Sequence, residues 1–369
     1  MSTLERPPVP RPSDPIPVES RPRLDALWWR GETRGRPWSL LVARRSLVLA
    51  LGCVLALAFL GTVALGAGEY AVAPDQVLAA LVGRASDPLA GYFVVELRAP
   101  RAVAAVVVGT ALGVSGALFQ GVTRNPLGSP DIIGFTTGAA TGALVQIIVF
   151  GVSGSAVGIG ALAGGAATAA IVRLLVGRDG LGGPQLVLVG LGVGATLAAL
   201  NTLLVVRASL ESAQIAATWL AGSLTTMLWP KVLVAGVCVL ALLGCLAPVA
   251  RGLQQLVVGE EAARATGVDV TRVRSVAVVV GVALVSVAVA LTGPIAFVAL
   301  AAPQIARRLA GRSSPGLVCS ALVGAVIVLG ADLLAQHAVA GREYAVGVVT
   351  GALGGVYLIA LLTLERKKR

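Results

Sequence analysis

The sequence predicts an all-α polytopic membrane protein with about ten transmembrane helices. Its 369 residues are 56% hydrophobic and only 13% charged, against roughly a quarter charged in ordinary soluble domains. Apolar runs of about 20 residues recur along the chain, and each can cross a hydrocarbon layer of about 30 Å. Many of the 46 glycines lie in those runs, where small residues permit close helix contacts in lipid.

The first 45 residues differ from everything that follows. They contain eight of the 19 prolines and nine arginines, with no apolar periodicity. Such a composition cannot bury enough apolar surface to fold, so we expect 1–45 to be a disordered cytoplasmic tail. It lacks the apolar segment of a signal peptide.

From residue 46 onward the apolar runs define a membrane domain, 46–364, which a short basic C-terminus, 365–369, follows. The predicted spans are 46–66, 101–122, 131–151, 155–177, 185–207, 230–250, 271–292, 295–311, 316–338 and 346–364.

The distribution of cations predicts the orientation of these spans. An even number of spans places both termini on one side of the membrane. If that side is the cytoplasm, 23 of the 29 Lys and Arg lie inside, as the positive-inside rule requires. We therefore expect a multi-pass protein of the cytoplasmic (inner) membrane with both termini cytoplasmic. The net charge of +11 then reflects orientation in membrane lipid and not a nucleic-acid partner.

Three predicted connectors are longer than a turn. Residues 67–100 and 208–229 lie outside, and the second is expected to form an interfacial helix with Trp219 and Trp229 as anchors. Residues 251–270 lie inside and contain GEEAARATGV (259–268). On spacing alone this stretch is either a solvated connector or a helix that docks onto a partner.

The chain lacks the residue patterns of an enzyme. No GxxxxGK[ST] loop occurs, His337 is the single histidine, and the four cysteines show no metal-ligand spacing. We therefore expect no catalytic residue, metal or cofactor in this chain. Asp332 is the one acidic residue predicted deep in the membrane, whereas ion-coupled transporters commonly use several ionisable groups there. A structural hydrogen bond is the favoured role for Asp332.

A polar connector, VTRNPLGSPD (122–131), interrupts the apolar chain between the second and third spans. Pro126 and Pro130 prevent helix continuation. Ser129 is expected to cap the third span, with Pro130 at its first position and Asp131 in its first turn.

Several motifs resemble those of one transporter family. GEEAARATGV resembles the coupling segment of binding-protein-dependent ABC importer permeases for iron-siderophore complexes and vitamin B12, the FecCD-type family. The likeness extends through LRAPRAVAAVVVGTALGVSGALFQGVTRNPLGSPDIIGFTTGAATG (97–142), LTGPIAFVALAAPQIARRLAG (291–311) and GADLLAQHAVAGREYAVGVVTGALGGVYLIALL (330–362). The ending GGVYLIALLTLERKK (354–368) looks most similar to the ferric enterobactin permeases of that family.

The resemblance implies a fold of the vitamin B12 importer type and a set of partners. They are a second permease subunit, expected to differ from this one, an ABC ATPase dimer that carries ATP and Mg, and an extracytoplasmic siderophore-binding protein. The implied substrate is a ferric siderophore, enterobactin-like or another iron chelate. The alternatives are a vitamin B12 or haem importer permease and, from another class, an ion-coupled secondary transporter.

The resemblance also assigns roles to residues. An ATPase-coupling segment, 256–268, is implied to act through Gly259, Glu260, Glu261, Ala263, Arg264 and Gly267. Docking of the binding protein is implied for Arg98 and Arg101, with Arg342 replacing a family arginine whose position Gln336 occupies.

A cytoplasmic gate and two structural polar residues complete the assignment. The gate is implied to comprise Asn125 and Leu127 opposite Gly182 and Gly183. Gln304 stands where the family usually has histidine, so it retains hydrogen bonding without titration, and with Asp332 it is assigned a structural role.

Overall fold

The structure of the protein is a computed structural model that describes residues 26–33, 36–68, 70–85, 87–177, 183–311, 316–338 and 342–366. It separates into two compact units, one ending at Leu47 and the other beginning at Val48. The first unit contains an antiparallel hairpin of β1 (Ala26–Thr33) and β2 (Arg36–Ala43), in which Ala26 pairs with Ala43.

The hairpin lies where the sequence predicts no regular structure. Its strands, ALWWRGET and RPWSLLVA, are rich in Trp, Leu and Val, and aromatic and β-branched residues favour extended backbone. The proline and arginine content of the whole tail concealed this local preference. Residues 1–25 of the predicted tail lie outside the described residues.

The rest of the described chain is helical, which confirms the predicted all-α polytopic fold. The helices are α1 (Arg44–Gly66), α2 (Pro74–Leu81), α3 (Pro88–Tyr92), α4 (Ala99–Thr123), α5 (Phe135–Leu144), α6 (Val157–Val176), α7 (Pro184–Arg207), α8 (Leu210–Leu220), α9 (Trp229–Leu246), α10 (Ala250–Val258), α11 (Glu260–Ala265), α12 (Val270–Thr292), α13 (Val298–Ala310), α14 (Leu317–His337) and α15 (Val346–Arg366). The π-helical segment Phe93–Arg98 joins α3 to α4, a second one extends α5 through Val149, and a single 3₁₀ turn, Gly154–Ala156, precedes α6.

Seven helical segments of the described chain are long and apolar enough to cross a membrane. Two shorter apolar helices, Phe135–Val149 and Val346–Ala360, accompany them. The predicted number of ten spans is therefore not established. The predicted span 295–311 is the clearest difference, because α13 has only 13 residues and is about 20 Å long at 1.5 Å per residue. A non-helical segment, 293–297, precedes it.

α4 is the central helix of the bundle. Its membrane segment is 78% buried, whereas those of α1 and α7 are each 6% buried. α4 packs against α12, α13 and α14. Its contact with α14 is a close backbone approach, since a Cβ placed on Gly109 would lie 2.4 Å from the carbonyl oxygen of Gly324. Only small residues permit that approach.

The bundle has two ends. The connector end carries residues 124–134 and 247–269, and the opposite end carries residues 67–98 and 208–228. At the opposite end, Trp229 Nε1 donates to the carbonyl oxygen of Val95 at 2.8 Å. The expected helix between residues 208 and 229 is present as α8.

Candidate functional site

Glu260 is the centre of an ion-pair network at the connector end. Its carboxylate accepts from Arg274 at 2.7 and 3.2 Å and from Arg264 at 2.7 Å. A longer contact of 3.5 Å joins it to Arg124. Three cations from three parts of the chain therefore meet one carboxylate.

Two glycines define the helix that presents Glu260. Gly259, with a φ of 150°, separates α10 from α11, and Glu260 is the first residue of α11. Gly267, with a φ of 82°, follows the last turn of α11 and donates from its backbone N–H to the carbonyl oxygen of Arg264. Glycine adopts this backbone without steric cost.

The network keeps Glu260 ionised. Hydrogen bonding from Arg274 lowers the pKa of the Glu260 carboxyl below its ordinary value of 4.5, and the charges of Arg274, Arg264 and Arg124 act in the same direction against partial desolvation. In turn, Arg274 has a side chain only 10% exposed, and a buried cation requires such a partner.

The coupling segment exposes one face and buries another. Ala263 is 1% exposed and packs inward, whereas Glu261, Ala262, Arg264, Ala265 and Gly267 are exposed. Of the residues assigned to the ATPase, Ala263 is therefore turned toward the bundle, and the available surface is formed by its neighbours.

The polar connector folds as a tight turn beside this network. Arg124 adopts a left-handed φ of 50° at the end of α4. Asn125 Oδ1 accepts from the backbone N–H of Leu127 at 2.9 Å, and the carbonyl oxygen of Asn125 accepts from Gly128 N at 2.9 Å. The asparagine is thus a turn-forming residue, and Leu127 projects with 50% exposure.

Gln304 fixes this turn from the side of α13. Its side chain is 2% exposed, and its Nε2 donates to the carbonyl oxygen of Pro126 at 2.8 Å. One turn away, Gln120 Nε2 donates to the carbonyl oxygen of Leu300 at 3.0 Å. These two amides join α4 and its connector to α13, and the structural role assigned to Gln304 stays a prediction.

We expect Gln304→Leu to loosen the connector without unfolding the bundle. The substitution leaves the Pro126 carbonyl oxygen without its amide donor, at a cost of about 1–3 kcal/mol. Hydrogen exchange should increase selectively in residues 124–134, and Gln304→His, which retains a donor, should show a smaller increase. Equal exchange in wild type and Gln304→Leu would contradict this role.

The start of the third span differs from the prediction. Ser129 Oγ does accept from the backbone N–H of Ile132, at 3.4 Å, but it caps a separate helical turn. α5 itself begins at Phe135, after Gly134 in the left-handed conformation. A Cβ on Gly134 would lie 2.7 Å from the Cα of Gly194, so close packing against α7 sets this break.

The opposite half of the implied gate is only partly described. Gly182 lies outside the described residues. A Cβ on Gly183 would meet only Gln185 N, at 3.9 Å. Between these described residues, Leu127 therefore does not close onto Gly183, and the gate stays a prediction.

At the opposite end, Arg101 and Asp332 form a buried ion pair. Arg101 Nε and Nη2 donate to the Asp332 carboxylate at 3.0 Å, and Nη1 donates to the Glu343 carboxylate at 3.3 Å. The side chains are 14% and 2% exposed for Arg101 and Asp332. Gln336, which replaces the family arginine, donates to Asp332 at 2.8 Å.

This cluster changes the interpretation of two predicted residues. Asp332, to which the sequence assigns a structural hydrogen bond, pairs with a cation 231 positions away, which sequence proximity did not indicate. Arg101, implied to dock a binding protein, directs its guanidinium to Asp332, and its docking role stays a prediction.

Arg98 is also held locally. It donates to the carbonyl oxygens of Leu65 at 2.8 Å and Tyr70 at 2.6 Å. Arg342, by contrast, is exposed. Arg98, Arg101 and Arg342 were assigned to docking. Within the described part of the chain, Arg342 is the one of these three that makes no such inward contact.

Sequence reasoning missed Arg124, Arg274 and Gln120. Arg274 carried a usable signal, because an arginine within the apolar run VTRVRSVAVVV of α12 needs a buried anion as its partner.

Comparison with known proteins places this architecture in context. The profile of the FecCD transport family matches residues 55–364. Over 202 residues the chain is 43% identical to the ferric enterobactin transport system permease protein FepG of Escherichia coli (strain K12), covering 55% of this chain and 61% of that protein. Over 188 residues it is 33% identical to the hemin transport system permease protein HmuU of Yersinia pestis, covering 50% and 56%. The match thus spans less than two thirds of the length of each of these two relatives.

A solved structure extends the likeness to nearly the whole membrane domain. An inward-facing ABC transporter of the metal-chelate type superposes with a TM-score of 0.77 at 30% identity. The superposition covers 86% of this chain and 99% of that one.

Proposed function

This chain belongs to the FecCD transport family, and from that premise we propose that it is the permease subunit of a binding-protein-dependent ABC importer for a ferric siderophore. The observation that carries the proposal is the family match over residues 55–364, together with 43% identity to a ferric enterobactin permease. An enterobactin-like chelate is the favoured substrate. The hemin permease relative at 33% identity makes haem the second candidate.

The proposed subunit moves its substrate without chemistry of its own. ATP and Mg belong to an ABC ATPase dimer, and substrate specificity belongs to an extracytoplasmic binding protein. The second permease is expected to be a different chain. Both termini and the connector end are assigned to the cytoplasm, because the positive-inside rule favours that orientation.

The described contacts support a route by which the ATPase moves the gate. Motion of α11 acts on Glu260, whose carboxylate contacts Arg124 at 3.5 Å. Arg124 begins the turn that carries Asn125 and Leu127, and Gln304 holds that turn against α13. A displacement of the coupling segment thus reaches Leu127 through a continuous chain of polar contacts. These contacts can shift the equilibrium between an open and a closed gate only if the two states differ in them.

An ion-coupled mechanism is disfavoured by the environment of Asp332. A carrier of protons or sodium ions requires a carboxylate that exchanges its cation. Asp332 is instead neutralised by Arg101 at 3.0 Å, so that carboxylate is already occupied.

Uptake into proteoliposomes tests the proposed function. The chain, its permease partner and its ATPase are reconstituted, and a ferric siderophore is supplied with the binding protein. Uptake should require ATP and the binding protein and should persist with ionophores. Uptake that ionophores abolish and ATP does not affect would contradict the proposal.

Docking of the ATPase is tested on the exposed face of α11. Ala262→Trp places a large side chain on the surface proposed to enter the ATPase, and we expect the ATPase to be lost during co-purification. The matched control is Leu191→Trp on the exposed surface of α7, which should retain it. Retention of the ATPase and full uptake in Ala262→Trp would exclude this docking surface.

A further inference from the structure

A cavity of about 990 Å³ lies at the opposite end of the bundle, among α6, α8, α9 and α12. One part of its wall is polar, and it is formed by Gln214, Thr218, Ser223, Thr225, Thr226 and Lys231. The coupling segment and the polar connector are at the other end of the molecule, so none of these residues belongs to the proposed ATPase coupling or to the gate.

Lys231 supplies the positive charge of this wall. It lies in the first turn of α9, and no carboxylate of the described chain is within ion-pair distance of its ammonium group. The same cavity is lined by Ser223 and Thr225, whose hydroxyls are hydrogen-bonded to each other at 2.6 Å. Only one of these two hydroxyls spends its proton on that bond, so the wall offers a cation and one hydroxyl donor, which match the chemistry of a phosphate group.

The rest of the cavity is apolar and deeper in the bundle. Val234 and Cys238 follow Lys231 by three and seven residues on one face of α9, so Cys238 lies about 10 Å further along the helix. Ile159 and Leu162 of α6 complete this wall, and Ile159 and Val234 are each 66% exposed. The apolar part is therefore open at the lateral surface of the described chain.

We propose that this cavity binds an anionic phospholipid, with its phosphate at Lys231 and an acyl chain along Val234 and Cys238. The order of the wall, from cation and hydroxyls at the membrane boundary to apolar side chains toward the bilayer centre, is the order of a phospholipid. A free anion would use the polar part alone and leave the apolar wall without a partner.

Lipid retention on the purified importer tests this site. The complex is exchanged into mixed micelles of phosphatidylglycerol and phosphatidylcholine with identical acyl chains, and bound lipid is measured by native mass spectrometry. We expect wild type to prefer phosphatidylglycerol roughly tenfold, as one charge-assisted contact implies. Lys231→Gln should abolish the preference, and Lys231→Arg should retain it.

Three controls make the result specific. Arg207→Gln removes another exposed cation at the same end and should leave the preference intact. Val234→Trp fills the apolar part and should reduce retention of both lipids. This variant also tests the site if Lys231→Gln fails to assemble. Inorganic phosphate and a ferric siderophore should not displace the lipid. Equal retention of the two lipids by wild type, a preference that survives Lys231→Gln, or displacement by either soluble anion overturns the proposal.

Discussion

Glu260→Gln is expected to abolish coupled uptake and to destabilise the connector end. The substitution preserves size and removes the charge that three arginines share. Arg274, with a side chain 10% exposed, is left as a buried cation without its anion. Because Glu260 is itself 24% exposed, solvent moderates the penalty, and we expect a loss of about 1–3 kcal/mol in the free energy of unfolding.

Two further variants separate coupling from stability. In Glu260→Gln with Arg274→Gln, the buried cation is also removed, so stability should recover while uptake stays low. Arg124→Gln breaks only the 3.5 Å contact of a side chain that is 46% exposed. It should change stability by less than about 1 kcal/mol and still reduce uptake, because the link to the turn is lost. Thermal unfolding and ATP-dependent uptake, measured on the same preparations, distinguish these outcomes.

Glu261→Gln is the matched control, since Glu261 is exposed and adjacent to Glu260 in sequence. It should retain the stability of wild type, and because Glu261 belongs to the coupling segment it is a control for stability alone. Normal uptake in Arg124→Gln would show that the ATPase signal does not pass through Glu260 to the polar connector, even if the network stabilises the fold.

The network also has a predicted pH dependence. The pKa of Glu260 is lowered in the folded protein from its ordinary 4.5. Its contribution to stability is therefore complete above about pH 4.5 and is lost as the pH falls through the lower, folded-state pKa. Above pH 5 the wild-type network should be insensitive to pH. If wild type loses stability between pH 7 and pH 5 and Glu260→Gln does not, the predicted direction of the pH dependence is wrong.

The membrane class and the main helices were predictable because they depend on local composition. An apolar run long enough to cross a bilayer is visible without any tertiary information. The end of α11 was predictable for a similar reason, because Gly267 is a local backbone signal. The hairpin at Ala26–Ala43 was missed since its preference for strands is confined to two short segments inside an otherwise proline-rich and arginine-rich tail.

Pairings over long sequence distances were not predictable. Arg101 meets Asp332 across 231 positions, and Gln304 meets the Pro126 carbonyl oxygen across 178. These contacts result from how α4, α13 and α14 pack, which periodicity does not specify. Arg101 was assigned to an outer partner by the family resemblance, and the local sequence of a helix start is compatible with either an outward-pointing or an inward-pointing arginine.

The pairing of Arg101 leads to the second large prediction, that Asp332→Asn destabilises the whole bundle. Asp332 is 2% exposed and holds Arg101 through two donor atoms. Removing its charge leaves Arg101 largely buried with only Glu343, which is 51% exposed. Breaking one side of a buried ion pair costs about 3–5 kcal/mol, and thermal unfolding of the purified complex should show the loss. Glu343→Gln removes the exposed partner only and should cost less than about 1 kcal/mol.

The same pair decides between a scaffolding and a docking role for Arg101. Arg101→Leu with Asp332→Leu replaces both charges by apolar side chains, which is often neutral or stabilising for a buried pair. If Arg101 serves only the packing of α4 against α14, this double variant regains stability and binds the extracytoplasmic partner normally. If Arg101 contacts that partner, the double variant is stable yet fails to bind it. Arg101→Glu faces two carboxylates, so it should lose the fold before docking can be measured. The apolar pair therefore isolates docking in a way that charge reversal at Arg101 does not.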